Sequence, residues 1–305
     1  MQRALYGPDG FFLRERPADH FRTSVTASSL FADAVRELAG RVDDALGRPD
    51  PFDVVDVGAG RGELLAGLRD VPDRWRLTGV ELAPAPLLAD APRAGALRWL
   101  PEVPPLTGLL LANEWLDAVP LDVLQDGRQV LVGEDGSEVL GDVVVDPWAA
   151  RWWPGGGRVE VGAPRDRAWQ QAVGQVRRGL AVAVDYGHTA ASRRPTLTGY
   201  RAGRQVPPVP DGSCDLTAHV ALDSAAAATG ARVLTQQDAL RALGVDAALP
   251  EPVTAAALQR ASQAATLLDT AGLGGFAWLV QACRLPGGDG LLRPPGRTTT
   301  ADRPS

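Results

Sequence analysis

The fold is decided by residues 54–62, which read VVDVGAGRG. The first four of these residues are mostly β-branched and apolar, which predicts a buried strand. Three glycines at alternate positions follow, and the next segment, 63–68, is typical of a helix. Glycine in such a turn permits positive φ and leaves no Cβ in the path of a ligand. The stretch therefore predicts a strand, a ligand-binding turn and a helix of an α/β sheet.

A second predicted strand, in residues 76–81, ends at Glu81. A carboxylate in that position can accept hydrogen bonds from the hydroxyls of a ribose. The glycine order is G-x-G-x-G rather than the G-x-G-x-x-G of dinucleotide sites, and Asp56 just before the glycines would repel a diphosphate. S-adenosylmethionine (SAM) carries a sulfonium, an ammonium and a ribose, so it fits these two carboxylates better. The alternative is a glycine-rich turn of another kind of α/β protein.

The composition describes an enzyme-sized globular chain. Its 305 residues are 45% hydrophobic, enough for one large core or a core with a cap. The net charge of −6 argues against a nucleic-acid-binding surface. Cys214 and Cys283 have no metal-ligand spacing and suit a reducing compartment, and no apolar run has the length of a membrane span or signal peptide. We therefore expect a cytoplasmic protein with no metal site, no nucleic-acid partner and no membrane insertion; no oligomeric state is predicted.

The chain is predicted to divide into five parts. Residues 1–50 form an N-terminal segment that covers the cofactor site, with a helix capped by Ser24 or Thr26 and reaching Leu46. Four parts follow: the cofactor-binding half of the core (51–120), an inserted β-rich cap (121–164), the rest of the core with substrate-side loops (165–285), and a disordered tail (286–305).

Apolar strands separated by helices imply a parallel sheet that is covered on both faces. In the cap, Asp126-Gly127 between alternating apolar residues signals a hairpin. Residues 189–214 are rich in Pro, Arg and Gly and are predicted to form a long loop. A weak helix is expected at 85–90, and a last apolar strand at 275–284.

Four predicted strand ends carry acidic or amide side chains. They are Asp56, Glu81, Asn113-Glu114 and Asp185-Tyr186. Ligands of open α/β sheets bind beyond the carboxyl ends of the strands. Taken singly, each of these residues is also a common cap or turn residue, so the prediction of a site rests on their convergence.

The segment 113–120 lies where a methyl acceptor would face a bound sulfonium. Methyl transfer is an in-line displacement, so positioning is most of what a protein adds to it. Glu114 and Asp117 are candidates for holding a cationic or hydrogen-bonding nucleophile; the alternative is a capped helix start. His219, near another predicted helix start, is a candidate general base, although a single histidine is more often structural.

Seven blocks of the chain together resemble the MidA-like family of SAM-dependent methyltransferases, whose mitochondrial members are complex I assembly factors. The glycine loop is common to many methyltransferases, while Asn-Glu-x-x-Asp-Ala-x-Pro at 113–120 and Asp-Leu-Thr-Ala-His-Val at 215–220 are far more specific. The blocks span most of residues 5–284, and they are Gly10–Phe12, 20–24, Asp56–Gly62, Asn113–Pro120, Val184–Gly187, Asp215–Val220 and Gly274–Phe276.

The resemblance implies a class I SAM-dependent methyltransferase fold, which is a Rossmann-like seven-stranded sheet with its last strand antiparallel. It also implies SAM as the cofactor and a protein substrate, because the mitochondrial relatives methylate an arginine of a complex I subunit. The segment 21–24 is expected to close over the methionine end of SAM. The chain is shorter than typical members of the family at 81–106 and 187–215. The substrate of the relatives is therefore a poor guide to the substrate of this chain.

Residue chemistry and resemblance together give two sets of predicted site residues. The cofactor-binding set is Thr23, Ser24, Asp56, Gly58, Ala59, Gly60, Gly62, Glu81 and Asn113. The catalytic set is Glu114, Asp117 and His219.

Three functions are compatible with this pattern. The first is a protein methyltransferase acting on arginine. The second is a small-molecule O- or N-methyltransferase, with Trp148, Trp152 and Trp153 of the cap lining an apolar pocket. The third is a non-catalytic assembly factor that retains the fold. The intact glycine loop and Glu81 favour an enzyme.

Overall fold

The structure is a computed structural model that describes residues 1–15, 23–68, 70–83, 97–249 and 253–293. The strands in these ranges are β1 (Phe52–Val57), β2 (Trp75–Val80), β3 (Leu97–Leu100), β4 (Leu106–Asn113), β5 (Val123–Gln125), β6 (Arg128–Val132), β7 (Glu138–Val143), β8 (Arg158–Glu160), β9 (Val176–Asp185), β10 (Gly187–His188), β11 (Thr198–Arg201), β12 (Arg204–Val206), β13 (Asp215–Thr217), β14 (Val220–Ala221), β15 (Arg232–Thr235) and β16 (Ala277–Cys283). The α-helices are α1 (Gln2–Tyr6), α2 (Phe11–Arg14), α3 (Ser24–Ala27), α4 (Ser29–Ala45), α5 (Glu63–Gly67), α6 (Pro147–Trp152), α7 (Ala163–Gly174), α8 (Leu222–Thr229), α9 (Gln236–Ala242) and α10 (Ala255–Leu268).

Seven strands form the central sheet in the order β15-β16-β9-β4-β1-β2-β3. The pairs among β9, β4, β1, β2 and β3 are parallel. Strand β16 runs antiparallel to both of its neighbours. The predicted fold, a seven-stranded sheet with its last strand antiparallel, is therefore confirmed.

Apolar side chains cover both faces of this sheet, as near-continuous apolar strands require. On one face, Phe31 and Leu38 of α4 pack with Trp278 of β16. On the other face, Trp169 of α7 packs with Leu110 of β4. The two layers hold the carboxyl ends of β1, β2, β4 and β9 in fixed positions at one edge of the molecule.

The N-terminal helix differs from the prediction of one continuous helix from Ser24 or Thr26 to Leu46. Two helices are present, and Ser28 separates them because its backbone is extended, with φ −165°. The Ser28 hydroxyl accepts a hydrogen bond from the Leu30 N–H and so caps α4. Thr23 caps α3 by accepting from the Thr26 N–H.

The predicted insertion contains a four-stranded antiparallel sheet in the order β7-β6-β5-β8. Asp126 and Gly127 form its first turn, both with positive φ, 50° and 75°. Two positive φ values in a two-residue turn match the twist of a hairpin, so the hairpin predicted from Asp-Gly is present. β5 and β8 pack against α6 through Leu124, Trp148 and Val159.

Two predictions about irregular segments are wrong in part. Residues 189–214 contain the antiparallel hairpin of β11 and β12, which turns at Ala202 and Gly203. On its other side, β11 pairs antiparallel with β13. The tail from residue 286 to 293 packs on the core, since Leu292 is 3% exposed and the Leu291 carbonyl accepts from Arg41. Residues 294–305 and the predicted helix at 85–90 lie outside the described residues.

None of the helices in the described ranges has the length and apolar character that crossing a bilayer requires. Within the same ranges, no cluster of three or more His, Cys, Asp or Glu side chains is placed to hold a metal ion.

Candidate active site

A cavity of about 1010 Å³ opens where the carboxyl ends of β1, β2, β4 and β9 meet. Strand ends from both halves of the sheet line it, together with α1, α3 and the loop that precedes β14. This is where ligands of open α/β sheets bind, because the parallel strands place their following turns on one edge. The cavity therefore defines the candidate site.

The glycine loop forms one wall of the cavity. Gly58, Ala59 and Gly60 line it. Gly58 and Gly60 have φ of 70° and 57°, in the left-handed region that glycine adopts without strain. Gly62 does not line the cavity, contrary to its predicted role, because it serves as the N-cap of α5 with φ 80°.

Glu81 follows β2 and lies against this loop. Its Oε2 accepts a hydrogen bond from the Gly60 N–H at 3.1 Å, and its Oε1 accepts from the Leu82 N–H at 2.7 Å. The carboxylate lines the cavity. Glu81 thus holds the loop in place and faces the space that the loop encloses.

Asp56 is the last acidic residue of β1 and is buried beneath the loop. Burial raises the pKa of its carboxyl to about 8, and the neighbouring charges of Glu63 and Glu81 add to the rise. A cation bound in the cavity would stabilise the ionised form and offset that effect.

Asn113 is the last residue of β4, Glu114 follows it, and both residues line the cavity. The Asn113 Nδ2 donates to Glu114 Oε1 at 3.1 Å, while the buried Asn113 Oδ1 has no partner among the described residues. Glu114 Oε1 also accepts from the Ser24 N–H at 2.9 Å. Burial raises the pKa of Glu114 to about 8. The pair thus fastens α3 to the sheet and leaves an amide oxygen free for a donor.

The neighbouring residues Thr23 and Ser24 differ in their relation to the cavity. Thr23 lines the cavity. Ser24 does not, because its hydroxyl is fully buried in contact with Gln236. Only the backbone of Ser24 acts toward the site, through Glu114. Residues 21 and 22 of the predicted closing segment lie outside the described residues.

Asp117 lies at the other end of the cavity, which it lines. Its Oδ2 accepts from the Thr217 hydroxyl at 2.6 Å and from the Tyr186 hydroxyl. The second oxygen, Oδ1, is buried and has no partner in the described ranges. The backbone N–H of Asp117 donates to Asp185 Oδ2 at 3.2 Å. One carboxylate oxygen is therefore anchored, and the other is available to a donor.

Asp215 repeats this arrangement on β13. It lines the cavity, it is 4% exposed, and its Oδ1 has no partner within the part of the chain that the structure describes. Burial raises the pKa of Asp215 to about 8, and the nearby charge of Asp117 adds to the rise. Two buried carboxyl groups thus lie close together with an unsatisfied oxygen on each.

His219 lines the same end of the cavity. It lies in the loop between β13 and β14, whereas the sequence predicted a helix start; α8 begins three residues later, at Leu222. Its backbone N–H donates to the Thr196 hydroxyl at 2.9 Å, and its ring meets Tyr186 edge-on with centroids 5.1 Å apart. Burial lowers the pKa of His219, which favours the neutral ring that a general base requires.

Arg165 holds these acceptor-side segments together, a role that no sequence pattern indicated. The side chain is 1% exposed and donates to the backbone carbonyls of Val119 at 3.1 Å, Ala218 at 2.7 Å and His219 at 3.0 Å, and also to that of Asp117. One guanidinium thus ties the turn after β4 to the turn after β13. Its rigid fork of donors suits several acceptors at once.

The sequence-based site sets also lacked Tyr6, Tyr186, Thr217 and Asp215, all of which line the cavity. The last three belong to blocks that carried the family resemblance, so the signal was present in the sequence. Tyr6, which donates to the Ala118 carbonyl at 3.3 Å, lies in a helix whose position depends on tertiary packing.

The cavity is strongly acidic. Among the described residues that line it, Arg61 is the one arginine, and there is no lysine. The acidic lining residues are Asp56, Glu63, Glu81, Glu102, Glu114, Asp117 and Asp215. A cationic ligand would stabilise the ionised forms of Asp56, Glu114 and Asp215, whose pKa values burial raises to about 8, whereas a phosphate would be repelled.

Residues 80–238 match the family model described as "Putative S-adenosyl-L-methionine-dependent methyltransferase", and this span is just over half of the chain. The chain belongs to this family. The predicted enzyme class and the predicted cofactor, SAM, are therefore confirmed. No curated protein sequence matches this methyltransferase significantly.

Two crystal structures from Burkholderia thailandensis share the fold of this methyltransferase and belong to one superfamily. The first, a "likely methyl transferase" bound to S-adenosyl-homocysteine, is 24% identical, with a TM-score of 0.75. The second, a native structure of an uncharacterized protein, is 25% identical, with a TM-score of 0.77. Each match covers 93% of this chain and 86% of the other. The resemblance to the MidA-like family is confirmed.

The residues of this methyltransferase fit SAM. The Gly58–Gly60 backbone offers a surface without Cβ atoms, and Glu81 offers acceptors for ribose hydroxyls. The unpartnered Asn113 Oδ1 offers an acceptor for the ammonium group. The acidic lining residues would compensate the positive charge of the sulfonium when SAM is bound.

The raised pKa of Asp215 predicts a pH-dependent stability. In the unfolded chain an aspartate ionises near pH 4, whereas the folded group ionises near pH 8. Its contribution to stability is therefore full below about pH 4 and is lost as pH rises toward 8. The Asp215→Asn variant cannot ionise, so it should gain at least about 1 kcal/mol relative to wild type between pH 5 and pH 8.5.

Urea unfolding of both proteins at the two pH values measures this difference. The exposed Asp9→Asn variant is the matched control, and its difference from wild type should not change with pH. An Asp215→Asn difference that is equally independent of pH would contradict the prediction.

Proposed function

We propose that this methyltransferase transfers the methyl group to the guanidinium side chain of a protein arginine. The observation that carries the proposal is the pair of buried, unpartnered oxygens, Asp117 Oδ1 and Asp215 Oδ1, at the acceptor end of the cavity. A guanidinium presents five N–H donors in a planar fork that matches carboxylate oxygens. A buried carboxyl oxygen without a partner is costly. A cationic acceptor would supply donors and would stabilise the ionised form of Asp215, whose pKa burial raises to about 8.

Asp117 has the geometry of an orienting group. Thr217 and Tyr186 fix its Oδ2, so the free Oδ1 has a defined direction. A guanidinium is a poor nucleophile while it is fully protonated, because its pKa exceeds 12. Asp117 would hold the guanidinium in place and accept the proton that leaves the nitrogen. Glu114 and His219 line the same space and are proposed to assist in positioning and in proton removal.

The opposite end of the cavity would hold the cofactor. Glu81 would bind the ribose, the Gly58–Gly60 backbone would contact the methionine part, and Asn113 would accept from the ammonium. When bound there, SAM supplies a methyl group on a positively charged sulfur. The protein's own contribution is to bring the acceptor into line and to exclude water.

The proposed partner is a protein that carries the arginine, in the cytoplasm. By the family resemblance, a subunit of respiratory complex I is the first candidate. The small-molecule alternative relied on the tryptophans of the cap. Trp148 and Trp153 pack instead with Leu124 and Val159 of the insertion and with Ala221 of the core, and they do not line the cavity.

Methyl transfer from tritiated SAM tests the proposal. The acceptors are an arginine-containing peptide, the same peptide with lysine in place of arginine, and a total cell lysate separated by size. We expect label in the arginine peptide and in macromolecules, recovered as methylarginine after acid hydrolysis. Label confined to small molecules would support the small-molecule alternative. Absence of SAM binding in calorimetry would support the assembly factor.

A further inference from the structure

A buried carboxylate of the insertion reaches toward the acceptor end of the cavity. Glu160, the last residue of β8, is 3% exposed. Its Oε1 accepts from the backbone N–H groups of Thr196 at 2.5 Å and of Leu197 at 2.6 Å, and its Oε2 accepts from the Thr196 hydroxyl at 2.6 Å. Both carboxylate oxygens are therefore satisfied by one short segment, and that segment is fastened to the inserted sheet.

The Thr196 hydroxyl connects this carboxylate to His219. A hydroxyl has one proton to donate and two lone pairs that accept. The proton goes to Glu160, so a lone pair remains for the backbone N–H of His219, which donates to it at 2.9 Å. The backbone carbonyl of His219 accepts in turn from Arg165 at 3.0 Å. Side chains thus hold His219 by both of its backbone groups.

The ring of His219 has no comparable hydrogen bond. It meets the Tyr186 ring edge-on with centroids 5.1 Å apart, and it stacks on the His188 ring with centroids 6.4 Å apart. The hydrogen bonds of His219 within the described ranges are those of its backbone, and none of them reaches a ring nitrogen. A catalytic histidine is often oriented by a partner on its second nitrogen. Here the direction of the ring depends on the backbone to which it is attached.

The segment that carries Thr196 is held at a second point as well. The Arg193 side chain is buried and donates to both carboxylate oxygens of Asp223 on α8, at 2.8 and 2.7 Å. Its guanidinium also lies over the Trp153 ring, 5.7 Å from the centroid. Such a bidentate pair fixes geometry as well as adding energy. With Glu160 and Arg193 three residues apart along this segment in their attachments, the position of the Thr196 hydroxyl is well defined.

We propose that Glu160, acting through the hydroxyl of Thr196, is the positioning residue for His219. The inserted sheet would then contribute to the reaction although its tryptophans do not line the cavity. The inference deepens the proposed function and rests on it, because it takes His219 as a group that removes a proton from the acceptor. A base must lie within hydrogen-bond reach of the proton that it removes. A ring without a hydrogen bond of its own meets that requirement only if its backbone is fixed.

The charge of Glu160 also acts on the ring. Burial lowers the pKa of His219 and nearby arginines add to the fall, whereas Glu160 and Asp117 oppose it. The charged or titratable side chains around the ring are Arg165, Arg194, Glu160, Asp117, Tyr186 and His188. Position and charge are therefore two separate effects of Glu160, and they can be measured separately.

Proton NMR of the histidine rings tests the positioning without a methyl acceptor. The chain has three histidines, and the signal of His219 is the one that disappears in His219→Gln. Thr196→Val removes the hydroxyl and keeps the branched shape. We expect it to raise the pKa of His219 toward about 6.5, the value of an exposed histidine, because the ring leaves its buried position. Thr196→Ser keeps the hydroxyl and should keep the wild-type pKa.

Thr198→Val is the matched control for the loss of a hydroxyl. Thr198 is half-buried like Thr196, and its hydroxyl donates to the Val206 carbonyl at 3.3 Å rather than accepting from His219. This variant should leave the pKa of His219 at the wild-type value. A change as large as that of Thr196→Val would assign the effect to the segment as a whole and would overturn the proposal.

The rate of methyl transfer is the second readout. Thr196→Val should lower kcat for an arginine peptide about 10- to 100-fold, since a displacement of about 1 Å can cost about 100-fold. The dissociation constant of SAM should stay within about threefold of wild type, because Thr196 does not line the cavity. Thr196→Ser should recover kcat. A purely structural role would lower the melting temperature and leave both kcat and the pKa of His219 unchanged.

Glu160→Gln separates charge from position. The amide oxygen can still accept from the two backbone N–H groups, and the NH₂ group can donate to the Thr196 hydroxyl, whose second lone pair still accepts from His219. The position is therefore kept and the charge is lost. We expect the pKa of His219 to fall, and the rising limb of kcat against pH to move to lower pH with it. A pKa that rises as in Thr196→Val would contradict this assignment.

The outcomes distinguish the positioning from the proposed function. If wild type transfers no methyl group to the arginine peptide, the proposed function fails, and the pKa values in Thr196→Val and Thr196→Ser decide the positioning alone. If wild type methylates the peptide and Thr196→Val does so with undiminished kcat, the positioning is overturned and the proposed function stands. A wild-type pKa of His219 in Thr196→Val overturns the positioning in either case.

Discussion

Asp117→Asn is expected to lower the rate of methyl transfer to an arginine peptide by about 10²- to 10⁴-fold, the range that positioned proton acceptors contribute. The substitution preserves the volume of the side chain. Thr217 and Tyr186 both donate to Oδ2, so the amide oxygen must take that position. The NH₂ group then occupies the position of Oδ1. The N–H donors of the amide and of the guanidinium would face each other, and no hydrogen bond could form between them.

SAM affinity should remain within about threefold of wild type, because Asp117 lies at the acceptor end of the cavity and makes no hydrogen bond to the glycine loop among the bonds described. Calorimetry of SAM binding beside the rate measurement separates the two effects. Glu114→Gln is the companion variant, and its effect should be smaller because a glutamine oxygen can still accept from Ser24. Full transfer in both variants would remove the carboxylates from the reaction.

The central sheet was predictable because the residues that favour a strand locally are also the apolar residues that the buried sheet requires. Apolar residues form the majority of the buried strands β1, β4 and β9, and each of these strands ends at or just before a glycine or a turn-forming residue. The register then brings the carboxyl ends together without further information. This is why Asp56, Glu81 and Asn113 could be assigned to one cavity from the sequence, and the structure places all three there.

The acceptor side was less predictable because its geometry depends on contacts distant in sequence. Asp117 meets Thr217 one hundred residues further along the chain. Arg165 joins two turns that have no local pattern in common. A lone arginine at the start of a helix looks like any surface residue until the carbonyls that surround it are known.

Single residues that interrupt a sequence pattern account for the remaining differences between the predicted and the observed structure. Ser28 divides the N-terminal helix because its hydroxyl competes for a backbone N–H. Ser24 was placed with the cofactor by its neighbourhood, although its side chain turns toward Gln236. In the tail, Gly and Pro suggested disorder, whereas one apolar side chain, Leu292, fastens residues 286–293 to the core.

Gly58→Ala is expected to weaken SAM binding by at least about tenfold, or 1.4 kcal/mol. Gly58 has φ 70°, where an L-residue costs about 1–2 kcal/mol. In addition, a Cβ at this position would lie 2.9 Å from Trp115 Cδ1 and 3.2 Å from two further atoms of that side chain. Either Trp115 or the loop must move, and both line the cavity.

The backbone cost and the site-specific cost can be separated with a second glycine. Gly47 has φ 78°, and a Cβ there would meet nothing within 4 Å. Gly47→Ala should therefore lose about as much stability from backbone strain as Gly58→Ala loses from that source, with SAM affinity unchanged. Calorimetric titration with SAM and urea unfolding of the three proteins measure both quantities. If Gly58→Ala bound SAM as tightly as Gly47→Ala, the loop would not form the cofactor wall, since displacement of Trp115 or of the loop necessarily changes the shape of the space between Glu81 and Asn113.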